Sequence, residues 1–193
     1  MPHIETDSLA THRDWRRSQL IEAAASIALE SGGDSITVAA VAARAGLSRT
    51  SVYEYFASSA DLVADLVIDE LEGFSHVLSE AIAPCDDALS SVEMWISTSL
   101  QYIVDGRHLL AKALNATTLP RERNEAIGAA HRKLLAPLHQ GLSDLGVSDI
   151  AQALTFIQSI TDAATRRIEA GNDAEMEVRK TTTFCIAGIR ALL

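Results

Sequence analysis

At 193 residues the chain is long enough to bury a core without metal or disulfide staples, and a composition that is 48% hydrophobic, only 5% aromatic and poor in Pro favours helices over sheets. A formal net charge of −10 argues against a protein that coats nucleic acid nonspecifically, because phosphate binding is carried by Lys and Arg. The acidity is uneven: residues 1–60 hold five Arg against seven Asp or Glu, whereas residues 61–193 hold eleven basic against nineteen acidic.

The amino terminus, MPHIETDSLATHRDW, is polar and acidic where a signal peptide would be basic and then apolar. No apolar run approaches the ~20 residues of a membrane span, so a cytoplasmic protein with no membrane partner is expected. Residues 15–31 then place Leu20, Ile21, Ala24, Ile27 and Ala28 at three- and four-residue spacing, the stripe of a core-facing helix ended by Gly32-Gly33. Thr37 precedes VAAVAARAG, where it can cap a helix of about two turns and Gly46 can take the left-handed conformation just past its end. Ser48 is placed to cap a third helix, RTSVYEYF.

A long amphipathic helix is predicted from about Asp61 to Ile82, stopped by Pro84. Further helices follow at about 88–104, 107–116, 121–145, 149–170 and 174–192, broken at Gly106, Pro120, Gly146 and Gly171-Asn172. Pro137 inside the 121–145 stretch predicts a kink or a split. The fold class is therefore all-α, about nine helices, with domains at 1–60 and 61–193.

A packing helix, a short helix, a glycine turn and a second short helix form the helix-turn-helix arrangement that presents its last helix to the major groove. With Val52 facing the core, a 100° step per residue turns Thr50 and Glu54 outward, puts Ser51 and Tyr53 at the flanks and leaves Arg49 free at the amino end. Arg reads guanine edges, Thr methyls meet thymine methyls, and Tyr or Ser hydroxyls reach phosphates.

From Arg17 through LIEAAASIALESGGDSITVAAVAARAGLSRTSVYEYFASSADLV the chain resembles the DNA-binding segment of TetR-type (TetR/AcrR) transcriptional regulators, most specifically in AAVAARAGLSRTSVYEYF. The resemblance covers roughly the first third. It implies phosphate contacts by Thr37 and Tyr53, base reading by Arg49 and Thr50, and a dimeric, ligand-binding second domain. Arg16, Arg17, Ser48, Ser51 and Tyr55 complete the candidate DNA-binding set, with Arg13 joining Arg16 and Arg17 on an arm that could reach the backbone. The family usually has Lys where this chain has Ser59, and often a longer polar residue where it has Ala39.

In the body, Ser99 lies on a stripe otherwise made of Leu89, Val92, Trp95, Ile96 and Ile103. With Phe74, Leu78, Trp95, Tyr102, Asn115 and Phe156 it makes a candidate pocket for a small apolar or mildly cationic effector. A homodimer through the last two helices is expected, using Ile150, Leu154, Ile157, Thr161, Ala164 and Ile168, and Phe184, Ala187, Gly188 and Ala191. No cofactor, metal site or enzyme motif is signalled: Cys85 and Cys185 stand alone, His108, His131 and His139 make no ligand pair, and there is no Gly-x-Ser-x-Gly, phosphate loop or HExxH. The function expected is a repressor released from a palindromic, double-stranded operator by a small molecule. The alternative is a helical binding or scaffold protein with the same fold and little DNA binding.

Overall fold

The computed structural model describes residues 4–114 and 119–193, with side chains from residue 12 onward. Among these the architecture is all-α, in nine α-helices: α1 (Ile4–Ser31), α2 (Val38–Arg44), α3 (Arg49–Tyr53), α4 (Ser59–Ile82), α5 (Ala88–Val104), α6 (Leu109–Leu114), α7 (Asn124–Asp144), α8 (Ile150–Glu169) and α9 (Ala174–Arg190). Short 3-10 turns occupy Gly33–Ser35 and Arg121–Arg123. No helix among the described residues is long and apolar enough to cross a membrane.

The chain forms two compact units, Met1–Glu70 with Leu109–Gly128, and Leu71–His108 with Ala129–Leu193. They differ from a simple division at residue 60. The first unit takes in the start of α4 and also α6, because Leu62, Val63 and Leu66 of α4 and Leu114 of α6 are buried with Leu20, Ala24, Val41, Val52 and Phe56. The second is built on α5, α7, α8 and α9 around Leu78, Val92, Ile96, Leu100, Leu138, Leu142, Ile157 and Ile189.

Local chemistry sets most helix ends. The Ala40 N–H donates to Thr37 Oγ1 at 3.1 Å and the Ser51 N–H to Ser48 Oγ at 3.0 Å, so both hydroxyls cap helices as their sequence positions predict. Gly46 has φ +67°, and the N–H groups of Gly46 and Leu47 return to the carbonyls of Ala43 and Ala42, the paired bonds that close a helix with a left-handed residue. Ser58 and Asp61 cap α4 reciprocally, the Asp61 N–H donating to Ser58 Oγ and the Ala57 N–H to Asp61 Oδ2.

One expectation changes, and of the two outcomes foreseen at Pro137 the split does not occur. α1 starts at Ile4 rather than near residue 15, no Gly or Pro interrupting the chain over that stretch. α7 runs through Pro137 without splitting. Its neighbours Leu134, Leu138 and Leu142 are buried in the core of the second unit, and their burial offsets the one hydrogen bond that Pro removes.

Candidate nucleic-acid interface

α2 and α3 are short, and neither could hold its shape without the layer beneath it. Val41, Ala42, Val52 and Phe56 pin the pair onto α1, so their opposite sides face solvent. On α3, Val52 is fully buried while Arg49 and Thr50 are exposed and Tyr53 is 58% exposed. Thr37 is exposed at the start of α2; its oxygen accepts the capping bond, which leaves its hydroxyl hydrogen free to donate to an anion.

The remaining predicted residues divide by how far the unit's own interactions consume them. Ser48 and Ser51 are engaged with each other, their hydroxyl oxygens 3.0 Å apart in addition to the cap. Tyr55 is half-buried and packs on the core of the first unit. Arg16 is half-buried, with Nε enclosed and unpartnered among the described residues.

Arg17 departs from its expected role. It pairs with Asp65 at 2.6 Å and Asp69 at 3.7 Å, so its charge is neutralised by the next long helix rather than offered outward. Arg123 also binds Asp65, and reaches Asp61 at 3.4 Å. Arg44 grips Glu30 with both guanidinium nitrogens and donates to Ser26 Oγ. The Arg44 guanidinium and the Ser26 hydroxyl hold the Glu30 carboxyl below its ordinary range, so this arginine ties α2 to α1. Arg49, by contrast, has no carboxylate partner among the described residues.

In the second unit the expected effector residues separate. Phe74 and Tyr102 stack with ring centroids 4.1 Å apart, and Arg107 lies 4.6 Å over the Tyr102 ring. Leu78 and Trp95 are buried in the same cluster, against which Phe74 packs. The Ser99 hydroxyl donates to the Trp95 carbonyl at 2.7 Å, which satisfies a polar group on an apolar stripe locally. The Trp95 Nε1–H is buried and has no acceptor among the described residues. Asn115 lies outside the described residues.

Phe156 does not join this group. It is 49% exposed and, with Ser159, Ile160, Phe184, Gly188 and Leu192, lines an apolar groove of about 390 Å³ along α8 and α9. The stripe expected to face a partner is also revised: Ile157 and Ala164 are buried within the unit, so the outward face of α8 is the one bearing Phe156 and Ile160. On α9, Phe184, Ala187 and Gly188 are exposed, as is Ala191 just past its end. No group of three His, Cys, Asp or Glu among the described residues is placed to hold a metal ion.

The fold and this surface define a class: among the described residues, an all-helical chain whose first unit is a helix-turn-helix with the outer side of its second short helix exposed. Residues 20–66, the helices of this exposed motif and the start of α4, match the family of bacterial regulatory proteins, tetR family. No curated protein sequence matches the chain. Similar solved structures include the transcriptional regulator FadR from Bacillus subtilis in complex with stearoyl-CoA (21% identity, 89% of this chain and 98% of that chain, TM-score 0.72). A bacterial regulatory protein in the tetR family from Rhodococcus RHA1 is another (15% identity, 90% and 96%, TM-score 0.73). The superantigen PfiT shares the architecture as well (16% identity, 88% and 95%, TM-score 0.77). At these identities the likeness is one of fold.

Proposed function

We propose that the chain is a homodimeric, cytoplasmic transcriptional repressor that reads a palindromic operator with Arg49 and Thr50, grips phosphates with Thr37 and Tyr53, and is released by a small molecule held in its second unit. The observation that carries this is the exposed set on α3: a charged fork with no carboxylate partner among the described residues, a Thr and a Tyr surround one buried anchor, Val52. A two-fold site needs two such heads about one helical turn of DNA apart, and the unpartnered apolar face of α8 and α9 is the surface suited to join them. For the effector, the buried Trp95 N–H supplies a donor inside an apolar core, which fits an apolar molecule carrying an acceptor. α4 belongs to both units and is the element through which ligand could alter the reading heads.

The test is a duplex selected by the protein from a random library. Arg49→Ala should cost about 1–3 kcal/mol on that duplex and relax preference at one base position, while Tyr53→Phe should weaken selected and mixed-sequence DNA alike. Long-chain acyl-CoA is the first effector to add, since the FadR structure holds stearoyl-CoA. Equal losses on both duplexes for Arg49→Ala would remove it from base reading.

The alternative, a binding protein with little use for DNA, draws its support from the neutralisation of Arg17, Arg44 and Arg123 by carboxylates. It predicts no salt-dependent retention of the wild-type chain on DNA.

A further inference from the structure

We propose that Arg13 is a second DNA-backbone cation of this chain, donating to a phosphate that flanks the base steps approached by Arg49 and Thr50. The inference rests on the DNA-binding reading above and adds a residue and a direction of approach: α1 as well as α3 meets the duplex.

Two arginines share one face of α1. Arg13 and Arg17 are four residues apart, one turn of helix, and both lie along the segment that leaves α3. The Arg13 guanidinium carbon is 6.0 Å from the centre of the Tyr55 ring, and that of Arg17 is 5.8 Å from the centre of Phe56. Their surroundings are otherwise opposite. Arg17 is drawn onto Asp65 and Asp69, whereas Arg13, one turn towards the amino end, is exposed and has no carboxylate partner among the described residues. Arg44 and Arg123 are neutralised in the same way as Arg17. Among the described residues, Arg49 at the start of α3 and Arg13 against Tyr55 just beyond its end are exposed cations without a carboxylate partner.

The seat on Tyr55 gives Arg13 more than charge. A guanidinium lying over a ring uses its face for the aromatic contact and keeps its N–H donors at the edge, the fork that binds a phosphate with two parallel hydrogen bonds. Tyr55 is itself half-buried against the core of the first unit, so the platform is fixed relative to Val52 and hence to α3. A flexible, fully solvated arginine would lose more side-chain freedom on binding than one already resting on a ring. An Arg in this position reads no base, because it stands beside the reading helix rather than on its outer face.

The experiment compares wild type, Arg13→Gln and Arg13→Lys on the library-selected duplex and on a mixed-sequence duplex, recording affinity against salt concentration. Arg13→Gln should reduce the slope of log affinity against log salt by about one per protomer, weaken both duplexes by the same factor and leave base preference unchanged. Arg13→Lys should restore the slope. An unchanged slope in Arg13→Gln, or a changed base preference, overturns the inference while the DNA-binding reading stands. Wild-type protein that binds neither duplex in a salt-dependent way overturns both.

Discussion

At Gly141, α7 lies close against Val92 and Ala88 of α5. A Cβ built there would lie 2.6 Å from Val92 Cγ2 and 3.5 Å from the Ala88 carbonyl oxygen, and Val92 is itself fully buried. Alanine would gain roughly 1 kcal/mol of helix propensity over glycine, but overpacking a filled interior costs about 1–3 kcal/mol. Gly141→Ala should therefore lower stability in chemical denaturation by about 1 kcal/mol, and adding Val92→Ala should remove the clash. An alanine variant as stable as wild type would mean that Val92 yields without cost. The same scale separates what a residue's neighbours in sequence decide from what distant ones do. Thr37, Ser48 and Gly46 act on backbone groups within a few positions, and their roles are legible in the one-dimensional pattern. Arg17 meets Asp65, 48 residues away, and nothing in its local sequence distinguishes it from Arg13.

At the scale of elements, the start of α5 offers a titratable cap. Asp87 accepts the Ser90 N–H at 2.9 Å and the Ser90 hydroxyl at 2.8 Å, and these two bonds hold its carboxyl below the ordinary range. A carboxyl whose pKa is lowered on folding contributes stability above its unfolded pKa and loses that contribution as pH falls through the folded value. Asp87→Ala should accordingly melt at a lower temperature than wild type at neutral pH, with the gap closing as the solution is acidified below the carboxylate range. A gap independent of pH would assign the effect to helix propensity. Element boundaries were readable wherever such caps or glycines stand. They are not readable where a helix continues without punctuation, as α1 does towards Ile4.

For the whole molecule the decisive surface is the groove of α8 and α9. Phe184 is 64% exposed and Phe156 49%, and leaving two such rings in water forgoes a burial worth about 1.5–3 kcal/mol for each large apolar side chain. Under the dimer proposed above, Phe184→Asp should convert the protein from dimer to monomer in light scattering and abolish tight binding to the selected operator. Because the side chain is exposed within its own chain, helical content and melting of the monomer should be preserved. Persistence of dimer mass in this variant would remove the interface from these two helices. Ala164, which its position on the α8 stripe made a natural target for such a test, is buried in the unit's own core and would report on folding instead.

The sequence by itself determined the all-helical class, the order of the helices and the exposed set Arg49, Thr50 and Tyr53. Each of these follows from periodicity, caps and a short motif, interactions that reach no further than a turn or two along the chain. The tertiary structure decided which outward-looking residues remain available. It spends Arg17 and Arg123 on the carboxylates of α4, brings α6 into the first unit, seats Arg13 over Tyr55, and turns Phe156 away from the ring pair of Phe74 and Tyr102. The physical reason is that a helical stripe fixes which residues share a face but not which element covers it. Charge pairing and burial between distant segments exist only once the helices have packed.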